Sequence, residues 1–415
     1  MKNFLQSTFK SLEHRNFRLF FLGQAVSLTG TWVQNIAQSW LVYQITGSPF
    51  LLGLAGFMGQ IPVFLLGLFG GVVADHYNRH RIILITQTLA MLQAFLLAAL
   101  VLSGKIQVWE IFVLAFFLGS VSAFDLPARQ SFFIEMVGKD DLANAIALNS
   151  SAVNVARLMG PVLAGLLVAL TGEGICFFIN GLSFLAVIGG LLLMKVPAFK
   201  REKMTLSIFD YLKEGIVYGI KTSLVRRTLL FLSLLSLVAL PYSVLMPIFS
   251  KTILKGGPGT YGFLMGGAGS GALLGTLILA RSGSRDFERN IFMVAMGTGL
   301  SFIAFSFSKI IFISFAIQVI MGFCLMSQLT STNTLLQSMV PDKLRGRLMS
   351  FYGFVLLGIA PFGSLMAGFF AEKIGAPLTV LFSGILVMAG AFLFYRKGIT
   401  GLILKPTISI PRKNH

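Results

Sequence analysis

Apolar stretches of about twenty residues recur along the chain between short polar turns, and each is long enough to cross a bilayer as a helix. The first six run near 17–43, 49–74, 82–102, 108–126, 146–170 and 175–194. Six more follow near 228–249, 262–280, 291–307, 310–330, 348–371 and 378–395. Between the two halves the pattern breaks. Lys195, Lys200, Arg201, Lys203, Lys213, Lys221, Arg226 and Arg227 are opposed only by Glu202, Asp210 and Glu214. A segment this basic belongs outside the bilayer. Within it, Ile208, Tyr211, Leu212, Ile216, Tyr218 and Gly219 share one helical face, which predicts a helix lying along the membrane surface. The expected division is a first bundle at 1–198, a linker at 199–224 and a second bundle at 225–415.

Composition agrees with this plan. Hydrophobic residues make up 55% and charged residues 12%, against about 25% charged in a soluble domain. The net charge of +18 does not predict a nucleic-acid partner, because the cations sit in the turns. Twenty-seven of the 33 Lys and Arg fall in the tails and alternate turns, five fall in the other turns, and Arg157 is the remaining one. That bias predicts both termini on the cytoplasmic side of a cell membrane. No cleavage site follows the first apolar run, so no cleaved signal peptide is expected. Cys176 and Cys324 lie inside apolar runs, and the four His occupy polar turns or tails. This predicts no disulfide framework, metal cluster or cofactor.

Polar residues inside the spans are the candidate site. Gln24, Gln34, Asn35 and Gln38 lie in the first span, where amides either bond helix to helix or line a cavity. Arg157 lies eleven residues past Ile146, roughly 16 Å along the helix and near mid-bilayer. An Arg there costs at least about 2.5–3.5 kcal/mol on insertion scales, yet no carboxylate is expected at its depth. Two readings fit it. An anionic substrate answers the guanidinium, or backbone carbonyls, Asn154 and water do. Asp125 is the most deeply placed acid, and Pro127 just beyond it is expected to stop the fourth helix. Pro241 and Pro247 predict a kinked seventh span whose freed carbonyls, with Tyr242, line the cavity. Gly67 and Gly71 are expected to admit a neighbouring helix. Gly267, Gly269 and Gly271 look like the start of a dinucleotide fingerprint, but no strand precedes them, and Gly267, Gly271 and Gly275 at four-residue spacing read better as a helix-packing face.

The turn carrying Gly71, Asp75 and Arg79 resembles the loop signature of the major facilitator superfamily, with His76, Asn78 and His80 departing from it. The stretch Asp125, Pro127, Arg129, Phe132 resembles the siderophore-exporter and macrolide-efflux branch, as does the later turn holding Asp342, Arg345 and Arg347. Gly160 and Pro161 resemble the fifth-helix motif of antiporters in that superfamily. A repeat supports two related halves: Met136, Val137, Gly160, Ala164 and Gly165 recur as Met339, Val340, Gly363, Ala367 and Gly368.

The resemblance implies an all-α membrane protein with the major facilitator fold, about twelve helices in two pseudo-symmetric bundles. It implies a midplane cavity lined by spans 1, 4, 7 and 10, with Asn35, Gln38, Gln60, Arg157, Tyr242 and Gln318 as the substrate-contacting candidates. Gly71, Asp75, Arg79, Arg129, Asp342, Arg345 and Arg347 then form the cytoplasmic gate. Asp125 either carries a coupling proton or pairs with Arg79 or Arg129 in that gate. The implied function is proton-driven export of an amphiphilic, anionic siderophore or drug by a monomer in a bacterial inner membrane, surrounded by lipid. A lysophospholipid transporter is the alternative within the branch. A membrane enzyme or receptor is the alternative outside it, and the chain offers neither a catalytic constellation nor a large soluble domain.

Overall fold

A computed structural model describes residues 9–196, 208–282 and 287–403. Six helices form the first bundle: α1 (Arg15–Thr46), α2 (Pro49–His76), α3 (Arg79–Leu102), α4 (Val108–Val137), α5 (Leu142–Thr171) and α6 (Glu173–Leu192). The linker helix α7 (Ile208–Lys221) leads into α8 (Ser223–Ile253), α9 (Pro258–Ser282), α10 (Phe287–Phe307), α11 (Ile311–Met339), α12 (Asp342–Ile374) and α13 (Ala376–Ile403). Residues 199–207 of the expected linker lie outside the described residues, as do the side chains of Ile208, Tyr211 and Leu212. The rest of α7 docks on the second bundle: Gly219 meets Phe351, and Tyr218 donates to the carbonyl of Met339 at 3.4 Å.

Turn chemistry fixes the helix ends. Gly47 closes α1 at φ 62°, a left-handed conformation that side chains other than glycine resist. Ser48 then caps α2 by accepting from the amide of Leu51, with Pro49 in its first turn. Asn78 caps α3 through Arg81, and Glu110 accepts from the amide of Gln107 at 2.8 Å to start α4.

Eleven of these helices are long and apolar enough to cross a membrane. Besides the short linker helix α7, the one that falls short is α1. It spans 32 residues, ample length, but its buried amides lower its apolarity. Gln34 is met inside the protein, donating to Gln93 at 3.1 Å and accepting from Asn180 at 2.7 Å.

Pro127 does not stop its helix. α4 continues to Val137 with Pro127 inside it. The missing amide leaves the carbonyl of Ala123 without its usual partner, and α2 comes up against that oxygen at Gly70, where a Cβ would sit 2.0 Å away. A bare α-carbon there gives the freed oxygen a weak C–H contact. Gly67 and Gly71 meet nothing within 4 Å of an added Cβ. The close approach expected at those two glycines therefore occurs at Gly70. On α9, Gly267, Gly271 and Gly275 do pack, each against α11 at Phe315, Val319 and Phe323.

The two bundles meet along α5 with α9 and α2 with α12, and the sequence repeat builds both seams. Gly165 lies where a Cβ would come 3.0 Å from the Cα of Gly262, and Gly368 where it would come 2.8 Å from that of Gly53. Both crossings lie near the ends of the helices away from the linker, here called the far face. There Tyr43 bonds Thr252 at 2.9 Å, and the carboxylate of Glu372 accepts from Ser48 Oγ at 2.9 Å and the amide of Phe50 at 3.0 Å.

Candidate functional site

Between the bundles lies a cavity of about 770 Å³. It is lined by Asn35 and Gln38 of α1, Gln60 of α2, Arg157 of α5 and Tyr242 of α8. Gln318 takes no part. It is fully buried in α11 and donates its amide to Met246 Sδ at 2.9 Å. The lining is also wider than spans 1, 4, 7 and 10. Helices α2, α3, α5, α6, α9 and α12 contribute through residues such as Gln87, Asn180, Met265 and Leu356.

Arg157 sits midway along α5, and one feature of its surroundings follows from Pro161. That proline cannot donate to the carbonyl four residues earlier, which is that of Arg157 itself. Gly269 of α9 packs on this freed oxygen, 2.8 Å from where a Cβ would be. The guanidinium points the other way. Its Nη1 lies 3.6 Å from Met326 Sδ and its Cζ lies 5.7 Å from the ring centre of Trp32. Among the described residues it forms no ion pair. A thioether and an indole face are weak partners for a cation, worth about 0.5–2 kcal/mol together with desolvation, so its charge remains available.

Tyr242 is held where α8 loses its α-helical form. A π turn at Leu235–Ala239 passes into a 3₁₀ turn at Leu240–Leu245, and a second π turn covers Phe249–Ile253. Pro241 and Pro247 withhold amides from this segment. Gly363 of α12 lies against the break, 2.4 Å from Leu237 O and 2.6 Å from Pro241 Cγ by an added Cβ.

A second polar group lies deeper in the first bundle. Asp125 is 4% exposed, accepts from Thr86 Oγ1 at 2.8 Å and Gln87 Nε2 at 2.9 Å, and is ion-paired with Arg129. Because α4 runs past Pro127, Asp125 is not at a helix end. Its carboxylate lies well inside the bundle and lines the cavity.

At the linker face Arg79 contacts Glu135 at 2.5 Å and Asp75 at 3.8 Å, and its Nε donates to the carbonyl of Ala74 at 3.1 Å. Asp125 is therefore paired with Arg129 alone of the two expected cations, and Glu135 takes the place beside Arg79. Residue type alone did not single out Glu135, since 56 positions separate it from Arg79. Arg347, early in α12, is ion-paired with Glu214 of the linker helix, and Arg345 lies in the same stretch. The side chain of Asp342 lies outside the described residues.

Comparison with known proteins gives one consistent picture. A family described as "Transmembrane secretion effector" matches residues 6–402. The staphyloferrin A transporter of Staphylococcus aureus is 25% identical over 91% of this chain and 95% of its own. Macrolide efflux protein A of Streptococcus pyogenes is 22% identical over 91% and 95%. The multidrug efflux pump Tap of Mycolicibacterium fortuitum is 25% identical over 85% and 88%. Among solved structures, a bacterial homologue of the human lysosomal transporter Spinster, inward-facing and occupied, superposes with a TM-score of 0.75 at 14% identity, covering 95% of this chain and 99% of that one.

Proposed function

We propose a function from one premise: this chain belongs to the transmembrane secretion effector family of the major facilitator superfamily. It is a multi-pass membrane transporter of the efflux type, handling a siderophore or a drug. On our reading the cargo is an amphiphilic anion, exported by alternating access between bundles divided at 199–224. The observation that carries this is Arg157, a cavity-lining cation at mid-helix with no carboxylate in ion-pair contact among the described residues. Burying such a charge is costly unless a partner arrives, and a bound carboxylate, sulfonate or phosphate supplies one.

The linker face, with its excess of Lys and Arg, then lies in the cytoplasm of a bacterial cell. The described seams join the bundles at the far face, and on our reading cargo enters from the cytoplasmic side. Asp125 is the carboxylate among the lining residues, and we assign coupling to protons to it. Protonation would loosen its hold on Arg129 and connect the cavity to the Arg79–Glu135 contact beyond. Proteoliposomes test both assignments. Arg157→Gln is expected to abolish transport of anionic substrates and spare neutral ones, and equal loss for both rejects the anion reading. Asp125→Asn is expected to separate flux from an imposed pH gradient, and unchanged coupling removes Asp125 from that role.

A further inference from the structure

The cavity is divided between the bundles by chemistry. On α1, Gln24, Ser27, Thr31, Asn35 and Gln38 line it at helical steps of three and four, a polar stripe about 21 Å long. Gln60, Gln87, Asp125, Arg129 and Arg157 add to the same side. The first bundle thus supplies each amide and each charge in the lining. Facing it, the second bundle presents Met265, Ala268 and Ala272 of α9 with Leu325, Met326 and Leu329 of α11. Its polar lining groups are Tyr242, Ser243 and Tyr261, and Ser243 already donates to the carbonyl of Leu240 at 3.5 Å.

Resting on the export reading above, we infer that the cargo is a facial amphiphile carrying one negative charge: hydrogen-bonding groups along one side, hydrocarbon along the other, as in a hydroxylated sterol carboxylate. The first bundle's wall also carries Leu28, Trp32, Ile36, Val63 and Leu118, but its amides and charges face a wall that has neither. A head-and-tail surfactant has its polarity at one end, and would lay hydrocarbon along most of the amide stripe, stripping water from those groups without replacing it. The charge follows from pairing. Arg129 is matched by Asp125, which leaves the single guanidinium of Arg157 for the cargo. Leu and Met on the opposite wall adapt to varied hydrocarbon shapes, so selection falls on the polar side. Because bundles move as units in alternating access, the polar side of the cargo stays with the first bundle throughout.

Binding of tritiated cholate, decanoate and erythromycin to the purified full-length protein by scintillation proximity tests this. Cholate is a facial monoanion, decanoate a head-and-tail monoanion, and erythromycin an amine. Cholate is expected to bind at least about tenfold more tightly than either. Leu329→Gln and Asn35→Leu, which cross the two walls from opposite directions, are each expected to remove that preference, while Leu329→Met keeps it. Equal binding of decanoate and cholate overturns the inference, as does a preference indifferent to both wall variants, or binding of none of the three. If anions bind, and lose binding in Arg157→Gln but ignore the wall variants, only this inference fails. Binding unaffected by Arg157→Gln removes the anion reading itself.

Discussion

Arg157 Nη1 lies 3.6 Å from Met326 Sδ, a guanidinium of one bundle resting on a thioether of the other. Sulfur in that place touches the cation without neutralising it. A carboxylate introduced there would compete with cargo from within the chain. Met326→Glu is expected to lower binding of an anionic ligand at least about tenfold, since a charged hydrogen bond contributes about 1.5–3 kcal/mol. Met326→Gln should retain most of it. Isothermal titration on the two variants separates charge from shape.

The far face is sealed by Glu372, which caps the start of α2 from across the seam through Ser48 and the amide of Phe50. Losing a cap costs about 0.5–2 kcal/mol, which converts to roughly a 2- to 30-fold shift toward a state open at that face. Glu372→Ala should raise labelling of a cysteine placed at Ser364 by that factor. Cys176 and Cys324 are buried, so the background is low. Unchanged labelling would mean the seal rests elsewhere.

The twin glycine crossings make a paired prediction. Gly165→Val and Gly368→Val each force side-chain atoms into a space where even a Cβ meets the partner glycine at 3.0 or 2.8 Å. Overpacking of this kind costs about 1–3 kcal/mol. Both variants should therefore lose thermal stability to a similar extent and shift the resting state away from far-face closure. Strongly unequal losses would show that the two seams are not equivalent in load.

At the linker face the short turn Lys10–Glu13 is tied to Asp141. His14 Nε2 and Lys10 Nζ each lie 2.8 Å from its carboxylate, and Ser11 Oγ bonds Asn144 at 2.7 Å. Hydrogen bonds from His14 and then Lys10 hold the Asp141 carboxyl below the usual range, and the same contact raises Lys10. A lowered carboxylate stabilises the attachment at pH above its ordinary value and loses that effect as pH falls through the lowered one. The attachment should thus be complete near neutrality and fail below about pH 4. Hydrogen exchange in residues 9–14 measures it, and Asp141→Asn should remove the acid-dependent step.

Much of this was legible in sequence because lipid imposes few solutions. The span pattern, the half-chain repeat and the mid-helix place of Arg157 all follow from helical rise and apolar length. What was hidden depends on tertiary contact. Pro127 reads as a stop until Gly70 is seen covering the carbonyl it frees. Gln318 reads as cavity lining until its neighbour proves to be Met246. Asn35 and Gln38 line the cavity while Gln34, one step away, bonds α6 and α3. A helix face shifts by about 100° per residue, and only packing says which face is which.

The polarity of α1 has a consequence for how the protein is made. The amide of Gln34 is answered by Asn180 of α6 and Gln93 of α3, helices that leave the ribosome after it. Lipid alone offers those groups nothing. The Gln34 amide therefore has no partner until those later helices reach α1.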